Sequence, residues 1–157
     1  MSQEINEFQN LINKDKYQVF VFDSPAFIPI NFARHPWFVL NKKGVLSRWE
    51  VRDTKDKETG SYLFINNQPL FQGINVFYFP KNVFWKAKLL GYIDGDEGST
   101  AQRMINFIEN SKAIYPYVYS YSLIGPNSNS YAEWILSKFP EFRVSLPWNS
   151  VGKNFKI

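Results

Sequence analysis

The sequence predicts an α+β domain whose sheet is mostly antiparallel. Three observations carry that expectation. Two apolar, β-branched runs, "HPWFVL" at 35–40 and "VLSRWEV" at 45–51, flank the turn-forming "NKKG" and read as a hairpin. Apolar residues then take up helical spacing after "DGDEGST", and again after "GPNSNS". No linker or internal repeat interrupts the 157 residues, so the chain reads as one domain, residues 1–157, with an N-terminal helix at about 2–14 and a core over 17–157.

The elements follow in order. Ile5, Phe8, Leu11 and Ile12 lie at helical spacing, with Ser2 placed to cap that first helix. "YQVFVF" at 17–22 reads as a strand, and the two prolines of "DSPAFIPIN" at 23–31 predict a loop or an edge segment. If residues 41–44 form a symmetric turn, Leu40 faces Val45 and His35 faces Glu50, and a bulge would shift this pairing. A charged loop at 51–60 leads to a strand at 61–71 that breaks at "NNQP". Further strands are expected within 74–80 and 83–93. Ser99 with Gln102 is a capping-box signature for a helix at about 98–112, with Met104, Ile105, Phe107 and Ile108 on its apolar face. "YPYVYSYSLI" at 115–124 alternates tyrosines and reads as a strand. Tyr131, Trp134, Ile135 and Phe139 then share one helical face, with Ser130 and Glu133 as a capping box, in a helix ending near 138 before Pro140. A short strand and a loop close the chain.

Composition excludes several chemistries. There is no cysteine, hence no disulfide, thiolate metal site or thiol nucleophile, and a single histidine cannot build a His-rich metal centre. No cofactor and no metal are expected. The net charge of +4 comes from scattered Lys and Arg, which suits solubility first and an anionic surface second, and no nucleic-acid partner is expected. The acidic, polar N-terminus does not read as a signal peptide, and no apolar run approaches the ~20 residues of a membrane span. A cytoplasmic, soluble protein is the expectation.

One imidazole and one well-placed hydroxyl remain as reactive candidates. A helix N-terminus presents free N–H groups and a positive dipole end, which can activate a hydroxyl or hold an oxyanion. Ser128 stands there, and His35 is the base the chain can offer it. A carboxylate across the hairpin, Glu50, would orient the ring, although Arg48 on the same strand face competes for that carboxylate. The structural alternatives are as concrete: a helix cap around Ser130, a packed histidine, and an ordinary cross-strand pair. Asn127, Asn129, Trp37, Arg48 and Lys153 are the candidate substrate-binding residues. "DGDEG" at 94–98 lacks the spacing of a calcium loop and reads as an acidic turn ahead of a helix.

The segment "YPYVYSYSLIGPNSNSYAEWILSKFPEFRVSLPWNSVGKNF", 115–155, closely resembles a bacterial family of uncharacterised proteins. Its features are a Gly-Pro-Asn-Ser-Asn-Thr/Ser run, a helix ending in Pro-Glu, a Leu-Pro segment and a Gly-Lys, with "HPWFVL" and "RWEVR" matching two earlier strands. More distantly, the order of elements is similar to circularly permuted NlpC-type papain-like proteins, in which a His-bearing strand precedes a Cys at a helix N-terminus. That resemblance implies a small papain-like domain in which His35 matches the His and Ser128 the Cys. The chain departs from the pattern in having no Cys, and a serine is a poorer nucleophile than a thiol of pKa about 8.5. The implied function is hydrolysis or acyl transfer on an amide or ester by a Ser128–His35–Glu50 site. The alternative is a catalytically inactive domain that holds a peptide, lipid or cell-wall ligand in the same cleft.

Overall fold

The computed structural model describes residues 2–80 and 82–157, without the side chains of Ser2 and Gln3, so the cap expected of Ser2 lies outside the described residues. The chain is α+β. Helix α1, Ser2–Asn10, precedes three strands: β1, Tyr17–Pro25; β2, Arg34–Lys42; and β3, Val45–Val51. Short strands β4, Leu63–Ile65, β5, Gln72–Asn75, and β6, Phe84–Lys86, lead to β7, Lys88–Gly95. Helices α2, Thr100–Ile114, and α3, Ser128–Lys138, follow. The main sheet has the order β4-β3-β2-β1-β7 and is antiparallel throughout, and β5 and β6 form a separate two-stranded ribbon.

The central strands are buried on both faces, and the period-two alternation sorts their side chains. Val19, Val21, Phe38, Leu40, Trp49 and Val51 pack with Met104, Ile105 and Ile108 of α2 and Tyr131, Ile135 and Leu136 of α3. Phe20, Phe22, Trp37 and Val39 turn the other way, onto Phe71 and the apolar stripe Ile5, Phe8, Leu11 and Ile12. The predicted apolar face of the first helix is therefore correct, while α1 itself stops at Asn10. Leu11 and Ile12 follow in turns that donate to Phe8 O and Gln9 O.

The hairpin turns on two residues rather than four. Lys43 and Gly44 both have positive φ, 50° and 91°, the conformation a two-residue turn needs to match strand twist. Lys42 thus faces Val45 and Leu40 faces Ser47. The register is offset by two residues from the expected Leu40–Val45 pairing. Because side chains alternate with a period of two, a two-residue offset keeps every side chain on its expected face.

Three other expectations are corrected. Residues 115–124 form turns, not a strand. Tyr115 N closes α2 on Ser111 O, and the run meets the region of β4 through Val118 O, which accepts from Tyr62 N, and through Tyr121, which stacks on Tyr62. The tyrosines accordingly share no face: Tyr115 is buried, Tyr117 and Tyr121 are half-buried and Tyr119 is exposed. Residues 76–80 leave the strand that begins at Gln72, and residues 139–157 contain no strand. The acidic turn ahead of α2 carries an ion pair, Asp96 with Lys16 at 2.7 Å. Its capping box is half formed: Ser99 accepts from Gln102 N, but the Gln102 side chain accepts from Gly98 N rather than from Ser99 N.

Candidate functional site

The end of the sheet where β1 and β3 finish and β2 begins is a cleft. His35 stands at the second residue of β2, on the same face as Trp37 and Val39. Glu50 and Arg48 of β3 share that face. Carrying the hairpin register onward sets Trp37 against Glu50, so His35 reaches Glu50 along a diagonal, a separation that long side chains span. His35 Nε2 lies 2.7 Å from Glu50 Oε2, with both side chains buried.

The carboxylate is held from several sides. Arg48 Nη2 donates to the same Oε2 at 2.9 Å. Arg48 Nη1 donates to Gln72 O at 2.6 Å and to Pro69 O, and its guanidinium lies 4.2 Å over the Trp37 ring. Arg48 is completely buried, so its charge acts on Glu50 without solvent screening. Burial pushes the Glu50 carboxyl up, but the Arg48 charge and the His35 hydrogen bond outweigh it and bring it down to about 2. Burial also pushes the His35 pKa below its ordinary 6.5, and the Glu50 hydrogen bond offsets only part of that. At neutral pH the pair is therefore an anionic carboxylate and a neutral imidazole. A carboxylate only accepts, so the imidazole proton sits on Nε2. Nδ1 carries the lone pair, and no described residue bonds to it.

The other wall is the start of α3. Its N-cap is Asn127, not Ser130. Asn127 Oδ1 accepts from Asn129 N and Ser130 N, and Ser130 Oγ accepts in turn from Asn127 N. The run "NSNS" offers caps at either register. The one chosen lets Asn127 Nδ2 donate to Leu123 O and Val151 O, and Ser130 Oγ donate to Gly152 O at 2.7 Å. Gly152 has φ 91° and sits against Asn127, where a Cβ would come 2.5 Å from Nδ2. Asn129 Nδ2 donates to Arg34 O, next in chain to His35, and to Val151 O. This ties the helix start to the start of β2.

Ser128, the first residue of α3, lines the cleft with His35, Asn127 and Asn129. Its hydroxyl bonds to no described residue, and no hydrogen bond joins it to His35. The remaining candidates are distributed differently. Trp37 and Arg48 are wholly buried and pack behind the His35–Glu50 pair, outside the cleft lining. Lys153 Nζ is spent on Leu146 O and Pro147 O.

Residues that sequence reasoning passed over complete the site. Arg34 lines the cleft and makes a bidentate ion pair with buried Asp23, both contacts at 2.7 Å. Arg52 and Asp53, just past β3, line both the cleft and an adjoining cavity of about 310 Å³. That cavity also has Phe27, Asn67, Asn75 and Tyr78 on its walls, with Tyr78 donating to Asp53 at 2.8 Å. Arg52 Nη1 and Glu50 Oε1 are 3.9 Å apart, and both lack a hydrogen bond. These residues follow a strand whose end the sequence marked correctly. Their convergence depends on loops for which a single sequence carries no pairing signal. Among the described residues, no group of acidic and imidazole side chains could hold a metal ion, and no helix is long and apolar enough to cross a membrane.

A family model described as a protein of unknown function, DUF3750, matches residues 16–155. No curated protein and no solved structure matches the chain.

Proposed function

We propose that the chain, which belongs to the DUF3750 family, is a hydrolase or acyltransferase acting on an amide or ester through Ser128, His35 and Glu50. The observation that supports the reading most is the His35–Glu50 pair, 2.7 Å long and buried, beside a cleft that also contains the unbonded Ser128 hydroxyl. Glu50 fixes the tautomer, and His35 Nδ1 is the base. On substrate binding Nδ1 takes the Ser128 proton as Oγ bonds to the carbonyl carbon. The Ser128 N–H and the positive end of the α3 dipole stabilise the oxyanion, since the Asn127 cap already takes Asn129 N and Ser130 N. The C–N or C–O bond then breaks, the His35 proton passes to the leaving group, and water or a second acceptor releases the acyl group from Ser128. The Ser–His contact closes on substrate, as catalytic hydrogen bonds commonly do. A papain-like arrangement, with serine where a thiol would stand, is part of this proposal.

A second reading rests on the missing Ser128–His35 hydrogen bond: the cleft binds a peptide, lipid or cell-wall ligand without turnover. Labelling with a fluorophosphonate decides between them. The proposal expects one label per chain on the wild type and none on Ser128→Ala or His35→Gln. Labelling that persists in both variants overturns the assignment, and no labelling of the wild type selects the binding reading.

A further inference from the structure

Among the described residues, several strongly exposed apolar side chains stand on loops that border the cleft, whereas Val45, 70% exposed, sits at the opposite, hairpin end of the sheet. Trp148 is 90% exposed, Ile124 77% and Phe32 67%, and Leu123, Ile28 and Phe77 are also open to solvent. They stand on separate loops, and hydrogen bonds join those loops around the opening. Asn149 Nδ2 donates to Phe32 O at 2.7 Å, linking the Trp148 loop to the Phe32 loop. Asn127 Nδ2 bridges Leu123 O and Val151 O. Ile28 N donates to Val76 O, next to Phe77. Leu123 and Val151 line the cleft itself. A soluble monomer rarely keeps large apolar side chains clustered in this way without a partner for them.

We propose that this collar seats the cleft mouth on the surface of a membrane containing anionic lipid. Side chains that project singly from loop tips can each enter the headgroup region, and tryptophan favours that boundary because its ring is apolar and its N–H polar. A symmetric dimer would instead call for a self-complementary patch. Charge agrees. Lys153 Nζ is held on Leu146 O and Pro147 O at the root of the Trp148 loop, and the chain carries a net charge of +4. Both attract anionic headgroups over a Debye length. Docking of this kind does not depend on turnover at Ser128, and its test involves no labelling.

The experiment is co-sedimentation of the purified chain with vesicles of phosphatidylcholine and phosphatidylglycerol in equal parts, and with phosphatidylcholine alone. The expected result is partition onto the mixed vesicles, weaker onto phosphatidylcholine and weakened by salt. Trp148→Ala should weaken it at least about tenfold, since an aromatic ring of this size carries more than a decade of affinity. Ile124→Ser should weaken it in the same direction. Both residues are so exposed that neither change threatens the fold. Three outcomes overturn the proposal: no binding of the wild type, undiminished binding of both variants, or a dimer in light scattering that Trp148→Ala dissolves. The last would assign the collar to a second copy of the chain.

Discussion

Glu50 Oε2 accepts from His35 Nε2 at 2.7 Å and from Arg48 Nη2 at 2.9 Å, so one oxygen joins the imidazole to a buried cation. The consequence is directional. Arg48 keeps the carboxylate ionised, the carboxylate keeps the imidazole proton on Nε2, and Nδ1 is left with the lone pair. Arg48 and Glu50, which together fix the tautomer of the ring, are two residues apart on β3.

The pair sets how stability falls in acid. His35 has a folded pKa below its ordinary 6.5, so the folded state resists protonation there. Its contribution is present above pH 6.5 and is lost as pH falls through the folded value. Glu50, ordinarily near 4.5, is held at about 2. Its contribution is full above 4.5 and is lost between 4.5 and about 2. Urea midpoints measured across pH should therefore fall in two steps, and His35→Gln should remove the upper one. A midpoint independent of pH between 6.5 and 4.5 in the wild type would contradict the buried neutral ring.

Arg48 and Glu50 should behave as one unit. Arg48→Met leaves a buried carboxylate without its main partner and should cost about 3 kcal/mol or more. Glu50→Gln leaves a buried guanidinium likewise uncompensated, at a similar cost. The double variant should be at least about 1 kcal/mol more stable than the sum of the two losses, because each single change strands a charge that the double removes. Denaturant titration of the four proteins gives the coupling directly. Strict additivity would mean that the ion pair contributes nothing.

The start of α3 should be sensitive in a different way. Asn127→Ala removes the cap, worth about 1 kcal/mol, and two side-chain hydrogen bonds worth about 1 kcal/mol each. Asn127→Ser should recover the cap but not the ties to Leu123 O and Val151 O. Gly152→Ala places a Cβ against the Asn127 side chain at a φ of 91°, and should destabilise as well. Thermal unfolding of the three variants tests this, and equal loss in Asn127→Ser and Asn127→Ala would show that the ties, not the cap, matter.

Much of the site was legible because strand side chains alternate. The expected hairpin register was wrong by two residues, yet His35 and Glu50 still met, since an even offset changes who stands opposite and not which face is shared. The same argument placed Arg48 beside Glu50. The tyrosine run misled for a related reason. Alternation in "YPYVYSYS" imitates a strand, but Pro116 removes a donor, and a single backbone hydrogen bond to Tyr62, beside the Tyr62–Tyr121 stack, makes no ladder with β4 among the described residues. The cap was misplaced because "NSNS" satisfies the spacing rule at more than one register. What decided it was the position of the Val151 and Gly152 carbonyls, contacts more than twenty residues away that no local pattern encodes. Arg34, Arg52 and the adjoining cavity were invisible for the same reason.

Residues 148–152 look in two directions. Trp148 stands almost wholly in solvent, while three and four residues later the Val151 and Gly152 carbonyls grip Asn127, Asn129 and Ser130. Of the polar side chains in "NSNS", those three are committed to the grip and Ser128 alone is left out of it. One five-residue segment thus carries both the most exposed tryptophan among the described residues and the carbonyls that pin the polar side chains on either side of Ser128.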